Sequence, residues 1–280
     1  MGALIWTWIE HGFDDAIPAW RPAFFATFLG VALVLKTAIT LSWGEWSLLR
    51  PGSFVRWDLS RRFGVKLAQL VSLSYRPLLI LRIATGSCLI FGYETQLCGF
   101  VCAALLIAEL VWRFRYNTIF AAICSFAVGV GPAVGPPWQA RGTSSEAALE
   151  MALLMVTTTS IYVNGAWLKA RSKDFSSGAL LRNVLIGLSL LGPSMKRWEF
   201  ITPPRWLRDP LLHMPNWGWR AVSLAVIATE VFLVVALWSG WIAVAFVLGA
   251  TMHLAFAMIS PLRLLPFQII TLSTYLAFWS

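Results

Sequence analysis

Of 280 residues, 58% are hydrophobic and 12% are charged, about half the charged share of an ordinary soluble domain. The net charge is +9, yet no basic stretch is long enough to fold as a soluble module, so nucleic acid is excluded as a partner. Several apolar runs approach the length of a membrane-crossing helix and are apolar all round, which predicts an all-α, polytopic transmembrane helical bundle. A β-barrel would instead alternate polar and apolar residues.

Residues 1–21 carry Trp6, Trp8 and Trp20, with Glu10, Asp14 and Asp15 ahead of the first apolar run. This composition reads as an interfacial tail, not a cleavable signal. Residues 22–280 read as a single transmembrane domain, and the first span is expected at 22–43. The basic segment 44–76 follows, with an amphipathic helix expected at 63–73. Span two is expected at 77–96, opening on Pro77; span three at 97–114, tightly linked and hence antiparallel; span four at 117–132, ending in a Gly/Pro-rich stretch. Span five is expected at 145–169. The segment 170–218 is rich in Lys, Arg, Pro and Trp, and its apolar run 180–191 is too short to span. Spans six to eight are expected at 219–238, 241–260 and 261–279.

About eight spans with the N-terminus outside place 44–76 and 170–218 in the cytoplasm. In that arrangement 18 of the 22 Lys and Arg residues face inward, as the positive-inside rule requires. Nearly all of the 16 Trp residues fall at span ends or in loops, where an aromatic belt forms. The cytoplasmic basic segments imply anionic lipid as a partner.

The four cysteines, Cys88, Cys98, Cys102 and Cys124, sit in apolar runs and read as small core residues. No spacing suits a zinc site, so no metal is expected. No Gly-rich loop ends in Lys-Ser or Lys-Thr, which excludes an ATP-driven pump of that type.

An ionisable group in hydrocarbon costs about 2.5–3.5 kcal/mol on insertion scales and so demands an account. Arg82 and Glu109 are expected level on neighbouring antiparallel helices. They read as an ion pair that either locks the helices or serves catalysis, with Arg113 one turn from Glu109. Glu230 and His253 lie on a helix pair joined by Ser239–Gly240, and their depths differ by about 6 Å. They are expected to meet, either as a proton relay or as a structural bond between helices. Lys36 is expected near the depth of His253, reaching for the inner surface. Tyr162 and Asn164 lie about one to two turns before Lys169 and, with Lys36, are candidates to line a cavity. Lys169 reads either as a desolvated base or, with Arg171 and Lys173, as a basic anchor on anionic lipid.

The pattern Tyr162, Gly165, Lys169, Phe175 and Gly178-Ala179-Leu180 resembles the HTTM family. This is the membrane domain of vitamin K-dependent γ-glutamyl carboxylase and of related bacterial membrane proteins, the SdpB type among them. Phe175 stands where the family has Trp, and its distance from Lys169 departs by about one residue from the family spacing. Late polar residues, Glu230 and His253, also look like the family.

The resemblance implies that Lys169 is a catalytic base assisted by His253 and Glu230, with a quinone (vitamin K-like) as cofactor. It further implies a ribosomally made peptide as substrate, partner modifying enzymes, and a bacterial cytoplasmic membrane. The expected function is therefore a peptide-tailoring membrane enzyme or an essential subunit of one. The alternatives are a non-enzymatic exporter, immunity or lipid-binding protein, and a proton-coupled transporter.

Overall fold

The computed structural model describes residues 16–144, 147–191, 205–258 and 262–279. Most of the expected interfacial tail, with Trp6 and Trp8, and the basic pair Lys196 and Arg197 lie outside the described residues. The protein is all-α, apart from one two-stranded antiparallel ribbon that joins β1 (Ile17–Pro18) to β2 (Thr143–Ser144). Residue contacts divide the chain into two compact units, 1–154 and 155–280.

The first unit begins with α1 (Trp20–Ser42), followed by a 3-10 turn at Glu45–Leu49. α2 (Phe54–Phe63) starts at Ser53, whose hydroxyl accepts from the Arg56 amide at 3.2 Å and so satisfies one orphan donor of the first turn. α3 (Val65–Phe91) then runs 27 residues, about 40 Å at the rise of an α-helix. The separate amphipathic helix expected at 63–73 is thus the opening of this long helix, and Pro77 lies inside it rather than at its start. Proline removes one backbone donor, and neighbouring helices make that tolerable in a membrane helix. α4 (Thr95–Leu110) returns after a short turn, and α5 (Tyr116–Val130) completes the unit's bundle.

α1 packs on α3, α3 on α4, and α4 on α5. The α1–α3 crossing is made at glycines. A Cβ on Gly30 would stand 2.5 Å from the Gly86 carbonyl oxygen, so the backbones touch as they do at small-residue interfaces in membranes. At the other end of α3, Tyr75 and Leu79 pack with Leu49, Leu59 and Ala68. The Ser72 hydroxyl donates to the Leu49 carbonyl at 2.7 Å and ties the 3-10 turn to the helix.

α6 (Ala147–Arg171) carries the chain across the boundary between the units. In the second unit, α7 (Lys173–Ser176), α8 (Ala179–Leu191) and α9 (Arg205–Leu212) are short helices associated with α10 (Asn216–Trp238). Phe175, Leu181, Leu185 and Trp219 form their common core. Gly178 sits at φ +82°, where a Cβ would also meet the Trp219 carbonyl carbon at 2.4 Å. Only glycine suits both demands. α11 (Ile242–Ala257) pairs with α10, and α12 (Leu265–Ser273) continues into a 3-10 turn, Thr274–Phe278.

Among the described residues, five helices are long and apolar enough to cross a membrane: α1, α3, α4 extended to Trp112, α6 and α10. The remaining expected spans correspond to shorter apolar helices, Tyr116–Val130, Ile242–Ala257 and Leu265–Phe278. A helix of 15 residues, as at α5, rises about 22 Å, against about 30 Å of hydrocarbon. The run 180–191 is likewise the short helix α8.

Candidate functional site

In the second unit, α6 presents one polar face. Tyr162, Gly165 and Lys169 follow at i, i+3 and i+7, so they stack on the same side of the helix. Lys169 donates from Nζ to Glu230 Oε1 on α10. Gly165 makes this approach possible: a Cβ there would stand 3.2 Å from Glu230 Oε1 and 3.4 Å from Oε2. Glu230 is buried, while the Lys169 side chain keeps 24% of its surface exposed. The pair therefore joins a buried carboxylate to a partly exposed lysine. Among the described residues, Glu230 Oε2 has no hydrogen-bond partner.

About two turns earlier on α6, the Tyr162 hydroxyl lies 3.1 Å from His253 Nε2 on α11 and 2.5 Å from the Tyr275 hydroxyl in the final 3-10 turn. All three side chains are buried. Gly249, one turn from His253, gives the Tyr275 hydroxyl its space, since a Cβ there would stand 2.3 Å from it. Lys169 Nζ also lies over the Phe175 and Phe256 rings, 5.8 and 5.5 Å from their centroids, within cation–π range.

The sequence reading pairs Glu230 with His253. The structure gives Glu230 to Lys169 and His253 to Tyr162. Depth along a helix predicts level, but the rotation of each helix about its own axis decides which neighbour a side chain meets. Tyr275 has no place in the sequence reading for a related reason: its segment reads as an ordinary span. A lone tyrosine inside a late apolar run was the available signal. Asn164 is half-buried on α6. Arg171 stacks on Trp167 with its guanidinium carbon 5.1 Å from the ring centroid. Lys173 lines a surface hollow with Ser176, Ser177, Arg220 and Leu224.

The first unit holds a second charged cluster. Glu109 on α4 accepts from Arg82 Nη1 on α3 at 2.5 Å and from Lys36 Nζ on α1 at 2.9 Å. Lys36 therefore turns to a carboxylate, where the sequence reading sends it to the membrane surface. Arg82 Nε donates to the Thr37 hydroxyl at 2.7 Å, and that hydroxyl donates to the Leu33 carbonyl at 2.7 Å. The Arg113 amide continues the helical pattern by donating to the Glu109 carbonyl.

These features define the class: a helical protein with helices long and apolar enough to cross a membrane and, among the described residues, two buried ionisable clusters, one in each unit. No protein-family model matches the chain, and no curated protein or solved structure matches it either.

Proposed function

We propose that this chain is an integral membrane enzyme, or the membrane subunit of one, that modifies a ribosomally made peptide by acid–base chemistry at Lys169. The reading is supported by one observation above all: two hydrogen-bonded groups of exchangeable protons, Lys169–Glu230 and Tyr162–His253–Tyr275, share one face of α6. In a low-dielectric setting a neutral acid–amine pair competes with an ion pair, because burial penalises both charges. Passing the proton from Lys169 to Glu230 frees the amine to take a proton from a substrate C–H or N–H. Glu230, with an oxygen left over, holds the proton. Tyr162, His253 and Tyr275 carry protons onward, and Asn164 serves substrate placement on the same helix.

The substrate class rests on the resemblance to the HTTM family, as does a quinone co-reactant. The surroundings of Lys169 fit a quinone: an amine donor beside two aromatic rings, Phe175 and Phe256. Lys169 would donate to a quinone carbonyl and the rings would cover its face; the group itself would supply two-electron redox chemistry.

In this reading about eight spans cross a bacterial cytoplasmic membrane with the N-terminus outside, the three shorter apolar helices spanning at locally thinner bilayer. The basic segments 44–76 and 170–218 then meet anionic lipid, with Arg171 and Lys173 at the surface. The same Lys169–Glu230 pair favours a second reading, proton-coupled transport, since an intramembrane carboxylate with an unpaired oxygen suits a proton relay.

Comparative mass spectrometry of secreted and membrane-associated peptides tests the proposal. The cells compared are the native host with the gene, without it, and with Lys169→Ala. A peptide whose mass depends on the gene and on Lys169 supports the enzyme. Unchanged peptide mass with altered distribution between cell and medium removes the catalytic role and points to export or immunity. Uptake that follows a proton gradient, with no peptide modified, selects transport.

A further inference from the structure

Beside Arg82 the first unit opens an apolar cleft of about 230 Å³ between α3 and α4. Leu67, Leu70, Leu78, Ala108 and Trp112 line it, together with Arg82 and Glu109. Arg82 is 2% exposed. Its Nη1 is taken by Glu109 and its Nε by Thr37, but among the described residues its Nη2 has no hydrogen-bond partner. A buried guanidinium nitrogen with two N–H donors and no acceptor is costly to leave unsatisfied.

We propose that this cleft binds a membrane-resident single-chain amphiphile through a carboxylate head, in the manner of a long-chain fatty acid. A carboxylate oxygen would accept from Arg82 Nη2, completing a charge-assisted contact of the kind guanidinium makes best. The cleft is smaller than the about 300–1,000 Å³ that encloses a whole small molecule. It holds the head and the first carbons of a chain. The rest of the chain lies along Leu67 and Leu70, which are exposed on α3. A carboxylic acid suits the depth because it enters hydrocarbon neutral and ionises beside the cation. The inference stands on the first unit alone and is independent of the chemistry assigned to Lys169.

The test uses the full chain in phosphatidylcholine nanodiscs with radiolabelled palmitate, hexadecanol and hexadecyl phosphate. Saturable palmitate binding near one per chain is expected, with hexadecanol at least tenfold weaker. Arg82→Lys keeps the charge but removes the forked nitrogens, and should weaken palmitate at least tenfold. Ala108→Phe fills the cleft without touching the ion pairs, and should do the same even if Arg82→Lys fails to fold. Equal binding of palmitate and hexadecanol overturns the proposal, as does unaltered palmitate binding in Ala108→Phe. A preference for hexadecyl phosphate overturns the carboxylate assignment.

Discussion

Glu109 gives the sharpest test of the first unit's architecture. One of its carboxylate oxygens takes Lys36 from α1 and the other takes Arg82 from α3, so a single side chain on α4 holds three helices. All three residues are buried, at 8%, 2% and 4% exposure for Lys36, Arg82 and Glu109. Glu109→Leu leaves two buried cations facing each other without their shared carboxylate. Breaking such a pair by removing one partner costs about 3–5 kcal/mol. For a unit of about this size, each kcal/mol moves the midpoint by about 2–4 °C, so the expected drop is about 6–20 °C. The triple variant Lys36→Met, Arg82→Leu, Glu109→Leu removes every charge together and should recover most of the loss, since replacing a whole buried ion cluster by apolar groups is often neutral or stabilising. Thermal unfolding of the detergent-solubilised protein, followed by size-exclusion chromatography, reads both. A loss below about 1 kcal/mol in Glu109→Leu, or a triple variant no better than the single, would refute the shared-carboxylate account.

Four further outcomes are expected. Gly30→Ala should destabilise the first unit more than Gly86→Ala, by about 1–3 kcal/mol for overpacking, because the new Cβ at Gly30 meets backbone at 2.5 Å whereas that at Gly86 first meets the Val34 side chain at 3.1 Å; thermal unfolding of the two variants gives the order. Tyr162→Phe removes the hydroxyl shared by His253 and Tyr275 and should cost about 1–3 kcal/mol for the buried groups it strands. Tyr275→Phe, which spares the Tyr162–His253 bond, should cost less in stability and still lower peptide modification, as parallel thermal and mass-spectrometric measurements would show. Gly165→Val should separate Glu230 from Lys169, because even a Cβ stands 3.2 Å from the carboxylate, and should abolish modification in a protein that still folds. Cysteines introduced at Arg56 and Ser176 should react with a membrane-impermeant thiol reagent only from the cytoplasmic side if the basic segments face inward; labelling from outside would reverse the orientation.

Several features of this molecule could be read along one dimension. Helical spans need only length and apolar content, which is why α1, α6 and α10 were legible from composition. The short α8 was legible too, because its apolar run falls well short of the about 30 Å of hydrocarbon. Depth is also one-dimensional: it placed Arg82 beside Glu109, and it singled out Lys169, Glu230, His253 and Tyr162 as ionisable or polar groups in apolar surroundings. Helix boundaries were less legible. Pro77 reads locally as a start, yet α3 runs through it because packing against α1 and α4 supports the interrupted backbone.

That the chain is helical with membrane-length apolar runs, and which buried polar side chains need partners, follows from residue type and span length alone, because these set the cost of burying a charge or a backbone group. Who those partners are follows from packing in three dimensions. Lys36 shares Glu109 with Arg82, Glu230 goes to Lys169, and Tyr162 joins His253 to Tyr275. Each choice depends on how a helix is rotated about its axis and on where a glycine such as Gly165 or Gly249 lets a neighbour come close. Those angles emerge from packing many apolar side chains at once, and no local spacing encodes them.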